Sequence, residues 1–259
     1  MKKFFLMTRG RTGSSAIIDE LNNVSHIKSP SLEPFLRIDF EQFIKKQPEV
    51  LDQIEMMMPF ELWVNKLWVK FVAKYFLNDR RLINRYLKRE EYLASRDGSQ
   101  AFGFKVLSHH FDETPQLSKV LLSREYRALY LTRNAARQVI SGMVAKKRGI
   151  YNTKNQYKSD GRWALDVDEF RYLVKVETEA RSNDICFLTE SGFNFIEIYY
   201  EQFLGNRTAF FNRIFDFLDL PIELPRPSSY SVMIENIKGT IDNYQDIAEC
   251  AAGIGVPIE

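Results

Sequence analysis

Residues 4–18, Phe4-Phe5-Leu6-Met7-Thr8-Arg9-Gly10-Arg11-Thr12-Gly13-Ser14-Ser15-Ala16-Ile17-Ile18, restrict the fold more than any other stretch of the chain. A short apolar run stops at a basic turn rich in glycine and hydroxyls. Apolar residues then return at helical spacing through Ile17, Ile18 and Leu21. Strand, tight loop and helix in that order present free N–H groups and a positive helix end to an anion. Gly10 and Gly13 permit positive φ and close approach, Ser14 and Ser15 add hydroxyl donors, and Arg11 adds a fixed charge. A phosphate or a sulfate group is the natural occupant. The loop lacks the lysine of nucleotide-hydrolysing enzymes: no Gly-Lys followed by Ser or Thr, the pair whose hydroxyl holds magnesium, occurs in the chain.

Three further segments read as buried strands: Ala101–Leu107, Arg127–Thr132 and Asn194–Tyr199, beside Lys3–Thr8. Helical periodicity is expected near 14–23, 115–123, 135–147, 168–190 and 206–218, with Pro221, Pro225 and Pro227 marking a non-helical connection. Strands followed by helices predict an α/β fold, three layers with a central parallel sheet. Between Glu33 and Gly98 the pattern turns helical, and residues 35–98 are expected to form a helical insertion after the first β-α unit of a single domain, 1–259. Its second half is basic, with nine Lys/Arg against three Asp/Glu between Asn65 and Arg96. Lys66, Lys70 and Lys74 share a helix face there. Such a face is either solvated or a wall that attracts an anionic ligand.

The 259 residues are 45% hydrophobic and 27% charged, ample material for a core. A net charge of +2 argues against a dedicated nucleic-acid partner. Cys186 and Cys250 form no C-x-x-C pair, and His26, His109 and His110 are too few and too badly spaced for a histidine-rich metal centre, so no metal is expected. No apolar run approaches the ~20 residues of a membrane span. The expected location is the cytoplasm.

A second anion site lies in Tyr130-Leu131-Thr132-Arg133-Asn134-Ala135-Ala136-Arg137-Gln138-Val139-Ile140-Ser141. A strand ends, Arg133 stands at its carboxyl end, and Ser141 follows about two turns into the next helix. In an open α/β sheet ligands bind outside the carboxyl ends of the strands. Arg133 and the Arg11 loop would meet there, which suggests a ligand with two separate anionic groups.

These motifs resemble those of the sulfotransferase family. Arg11-Thr12-Gly13-Ser14-Ser15 is similar to its 5′-phosphosulfate loop, and Arg133 with Ser141 eight residues later resembles its 3′-phosphate motif. Tyr200-Glu201-Gln202-Phe203 resembles a Tyr-Glu-Asp-Leu segment, and Phe217-Leu218-Asp219-Leu220-Pro221 a helix ending in Phe-Leu-Gly-Leu-Pro. Lys238-Gly239-Thr240 sits where many members carry a Lys-Gly loop over the 3′-phosphate. The run Arg137-Gln138-Val139-Ile140-Ser141 further resembles the bacterial branch that includes trehalose sulfotransferase. Ala135, Gln202, Phe203 and Ile237 depart from the family pattern.

The resemblance implies a P-loop-like sulfotransferase fold and the donor 3′-phosphoadenosine 5′-phosphosulfate (PAPS), with the bisphosphate PAP as product. Its sulfuryl group would pass to an acceptor hydroxyl on a small molecule, carbohydrate or lipid. Arg11, Thr12, Gly13, Ser14 and Ser15 would bind the 5′ end, and Arg133, Ser141, Lys238 and Gly239 the 3′-phosphate. Arg11 would meet the charge developing on the leaving group, since guanidinium does not deprotonate and cannot be the acid. For the base, Glu33 lies where the trehalose-sulfotransferase branch places a carboxylate, and His109 or His110 near where other branches place a histidine. Glu33 is the favoured choice. Two other classes remain open: a P-loop kinase or hydrolase, and a non-catalytic binding protein that keeps the nucleotide fold. Aromatic residues of the insertion (Phe35, Phe40, Phe43, Phe60, Trp63, Trp68, Tyr75) are helical core or an acceptor pocket, and an oligomer is possible.

Overall fold

Phe4, Phe5, Leu6 and Met7 are apolar on both faces of their strand, the mark of a strand buried at the centre of a parallel sheet. The computed structural model describes residues 1–30, 33–36, 57–65, 79–149, 161–230, 234 and 236–258. In chain order the elements are β1 (Lys2–Thr8), α1 (Ser14–Asn22), β2 (Ile27–Lys28), α2 (Phe60–Asn65), α3 (Asp79–Arg96) and β3 (Ala101–Leu107). There follow α4 (His109–Glu113), α5 (Gln116–Ser123), β4 (Arg127–Thr132), α6 (Ala135–Arg148) and α7 (Val167–Glu190). The chain continues through β5 (Phe195–Tyr199), α8 (Tyr200–Gly205), α9 (Arg207–Leu218), α10 (Ile237–Thr240) and α11 (Tyr244–Gly253).

The five strands form one parallel sheet in the order β2-β3-β1-β4-β5, so β1 is central. On one face Phe5, Met7, Phe104, Val106 and Tyr130 pack under α3, α5 and the end of α7 at Leu188. On the other, Phe4, Leu6, Leu129, Leu131 and Ile198 pack under α1 and α9. Those are the three α/β/α layers that the alternation of strands and helices predicts. A third cluster joins α6, α7 and α11 beside the sheet.

The four strands and five helices expected from the sequence are present, their bounds within about two residues. β2, α4, α8, α10 and α11 were not foreseen. Of the expected insertion, α2 and α3 are described; Trp63 and Phe60 pack against Tyr86, and Phe60 against Phe35, which in turn meets Phe104. Phe40, Phe43, Lys66, Trp68, Lys70, Lys74 and Tyr75 lie outside the described residues.

Candidate functional site

The carboxyl ends of β1, β3 and β4 lie side by side, and each contributes a cation. At the end of β1 the chain turns through Arg9-Gly10-Arg11-Thr12-Gly13 into α1. Gly13 has φ 81° and caps the helix, and Tyr200 covers it so closely that a Cβ there would sit 2.1 Å from the ring. Any side chain at Gly13 is therefore excluded. The first N–H groups of α1 have no partner within the helix and point out of its amino end, with Ser14 and Ser15 beside them. Thr12 is buried, its hydroxyl bonded to Thr8 Oγ1 and to the Arg9 carbonyl, so it braces the loop from inside.

Arg11 is a non-glycine residue in the left-handed region, φ 66°. That conformation costs about 1 kcal/mol, so neighbouring groups must hold it. Its guanidinium reaches α6, where Nη2 donates to Ser141 Oγ at 3.2 Å. From β4, Arg133 Nη1 donates to the Arg11 carbonyl at 3.1 Å. Arg133 lies 4.8 Å over the Tyr200 ring, its Nε is buried with no hydrogen-bond partner, and no carboxylate pairs with it among the described residues. Burial pulls its pKa below the ordinary arginine value. A desolvated guanidinium with an unused donor is poised for an anion. The two segments expected from the sequence to bind anions are brought together by the Arg11–Ser141 and Arg133–Arg11 contacts.

Lys105 enters from β3, where it alternates with Phe104 and Val106 and so faces α1. Its ammonium is buried, donates to Ser15 Oγ at 3.2 Å and pairs with Glu33 Oε1 at 2.8 Å. Glu33 is thereby tied to the anion loop. Sequence reasoning missed Lys105, although a lone lysine inside Ala-Phe-Gly-Phe-Lys-Val-Leu is a signal: a charge in a doubly buried strand requires a partner.

The histidine pair divides. His109 is exposed, and its ring stands 4.6 Å from that of His110. His110 is fully buried and its Nδ1 accepts the Leu107 N–H at 3.3 Å. Desolvation lowers its pKa to about 4, against a smaller opposite pull from Glu33. His110 is thus neutral at neutral pH, with its proton on Nε2. Lys238 is exposed on the one-turn helix α10 and makes no hydrogen bond or ion pair among the described residues, while the Gly239 N–H is taken by Asn236 Oδ1 at 2.9 Å. Neither is bonded to Arg133 or Ser141. Among the described residues no group of three His, Cys, Asp or Glu is placed to hold a metal ion, and no helix is long and apolar enough to cross a membrane.

No protein-family model matches the sequence, and no curated protein is detectably similar to it in sequence. Among solved structures, the sulfotransferase domain from the curacin biosynthetic pathway superposes over 100% of this chain and 99% of that one, at 12% identity and a TM-score of 0.51. The fold is that of the sulfotransferases. Two more sulfotransferase structures are similar: the domain of the Synechococcus olefin synthase and the enzyme of Alicyclobacillus acidocaldarius. The first is 12% identical over 99% of this chain and 96% of that one, with a TM-score of 0.49. The second is 14% identical over 100% and 98%, with a TM-score of 0.44. The loop after β1 and Arg133 lie at the carboxyl ends of their strands, where open α/β sheets in general take their ligands.

Proposed function

We propose that the chain is a sulfotransferase that takes its sulfuryl group from PAPS and transfers it to an acceptor hydroxyl. The observation that carries this is the Arg133 guanidinium, half-buried with its Nε out of contact with water, without a carboxylate partner among the described residues and bonded directly to the loop after β1. A loop for one anion joined to a desolvated arginine for another fits a nucleotide phosphorylated at both its 5′ and 3′ ends. The Gly13 turn, whose positive φ leads the chain into the free N–H groups at the amino end of α1, fits the 5′ end.

The donor supplies an activated sulfuryl group and departs as the bisphosphate PAP. The protein's work is positioning and neutralisation of charge. The amino end of α1, Ser14 and Ser15 bind the 5′ end, Arg11 neutralises charge on the leaving phosphate, and Arg133 with Ser141 holds the 3′-phosphate. Lys105 stands between Ser15 and Glu33 and holds the acceptor side against the loop. Glu33 takes the proton of the acceptor hydroxyl. His110 is buried beneath this site, and His109 is left as the exposed alternative base. Lys238 and Gly239 belong to the same reading only through a movement of α10 toward the 3′-phosphate. A carbohydrate acceptor rests on the bacterial-branch resemblance and a lipid one on the aromatic residues of the insertion, with residues 35–98 read as a helical insertion within a single domain.

Titration calorimetry with PAP, ADP and ATP tests the reading. PAP is expected to bind without magnesium and more tightly than ADP, and Arg133→Ala to cost about 1.5–3 kcal/mol, the scale of a charged hydrogen bond. Glu33→Gln is expected to bind PAP normally and to lose transfer. Equal affinity for PAP and ADP, or magnesium-dependent ATP turnover, overturns the reading in favour of a nucleotide kinase or hydrolase.

A further inference from the structure

Arg11 holds a backbone conformation that residues with a side chain rarely adopt, φ 66°. Its φ and ψ are rotations between two rigid peptide planes, that of Gly10–Arg11 and that of Arg11–Thr12. Each plane carries one carbonyl, and each carbonyl is gripped from α6 or its entrance. Arg133 Nη1 holds the Arg11 carbonyl at 3.1 Å. Gln138 Nε2 holds the Gly10 carbonyl at 2.8 Å. The same amide nitrogen donates its second hydrogen to Glu177 Oε1 of α7 at 2.9 Å. Glu177 in turn pairs with Arg9 Nε at 3.0 Å, at the start of the loop. Gln138 itself is buried, so neither donor has water as an alternative.

We propose that Gln138 is a positioning residue for the transfer site: with Arg133 it clamps the two peptide planes that set the left-handed Arg11. A glutamine is suited to this because its NH2 group carries two donors and both are used, one on the loop and one on α7. Gln138 lies one turn before Ser141 on α6, so the clamp also fixes the loop relative to the Arg133–Ser141 pair. It touches no reacting group. Its effect on catalysis rests on the sulfuryl-transfer reading, while its effect on the loop does not.

The clamp makes a specific kinetic demand. A loop released from it spends less time in the binding-competent conformation, which lowers apparent donor affinity but is reversed by saturating donor. Gln138→Met keeps the length and burial of the side chain and removes both donors. In the nucleotide-free protein, amide exchange across residues 9–15 is expected to quicken by about tenfold, with exchange of β1 and α6 unchanged. KM for the donor and Kd for PAP are expected to rise about tenfold, with kcat retained at saturation. Glu177→Gln, which keeps an acceptor for Gln138 while removing the charge beside Arg9, is expected to change both readouts far less.

Unchanged loop exchange in Gln138→Met overturns the proposal, and so does a Glu177→Gln variant that loosens the loop as much. A fall in kcat at unchanged KM overturns it as well, because that pattern marks a group acting in the transition state. Failure of the wild-type protein to bind PAP would sink the sulfotransferase reading instead, and the exchange measurement would still decide the clamp.

Discussion

His110 shows how one residue's burial becomes a property of the whole protein. Its folded pKa of about 4 lies below the ordinary 6.5 because its ring is removed from water. As pH falls through 6.5 the unfolded chain takes up a proton there and the folded chain does not, so stability is complete above that pH and declines toward pH 4. The loss from this residue is at most about 3 kcal/mol. Glu90, Glu177 and Asp184, whose burial raises their pKa, act with the opposite sign. The test is therefore the difference between wild type and His110→Asn in urea unfolding at pH 7 and pH 5: the wild type should lose more stability over that interval. Equal losses would show that His110 does not titrate as a buried neutral ring. At this scale the sequence singled out the loop after β1 and Arg133, because the chemistry proposed for them is written in contiguous motifs. Lys105 and Gln138 were not legible as site residues, because their partners, Glu33 with Ser15 and Gly10 with Glu177, are brought to them only by the folded sheet.

At the scale of elements, the β1–β3 pairing turns on one glycine. Gly103 stands opposite Phe4 in the register, and the Phe4 ring lies over it: a Cβ at 103 would come within 2.3 Å of the ring. The ring cannot retreat, because Phe4 is fully buried between α1 and the sheet. Gly103→Ala is expected to destabilise the protein by about 1–3 kcal/mol through overpacking. The same substitution in a Phe4→Leu background is expected to cost less, which a double-mutant cycle in urea would show as coupling between the two sites. Additive effects would mean that the strain is relieved elsewhere. Element types were readable where the pattern is long: an apolar strand or a helix of eight residues or more declares its period. β2 has two residues and α8 has six, too few to display one. α11 escaped for another reason, since its buried contacts at Ile247 and Ala251 give a faint apolar stripe among small residues.

At the scale of the molecule, the two apolar clusters on the faces of the sheet followed from alternating strands and helices, but the third did not. It joins α6 and α7 to the distant α11, and α6 is the helix that carries Ser141. The amino end of α6, next to Arg133, is gripped from two sides. The Asn134 N–H donates to Glu201 at 3.0 Å, while Asn134 Nδ2 and Arg137 Nε donate to the carbonyls of Pro257 and Ile258 at 2.8 and 2.7 Å. Ile258 is itself buried in the third cluster. A residue 125 positions from Arg133 thus holds the turn from which Arg133 projects. Ile258→Asp places a charge in that cluster and is expected to cost about 2–4 kcal/mol of stability. Because Asn134 and Arg137 then lose the carbonyls that fix the turn, PAP binding should weaken about tenfold by calorimetry under conditions where the variant remains folded. Ile258→Val keeps the apolar contact and both carbonyls, and should bind as the wild type does. Weakened PAP binding in the aspartate variant alone would show that the third cluster holds the 3′ site, and normal binding by a folded, destabilised Ile258→Asp would show that Arg133 is held by the sheet without it.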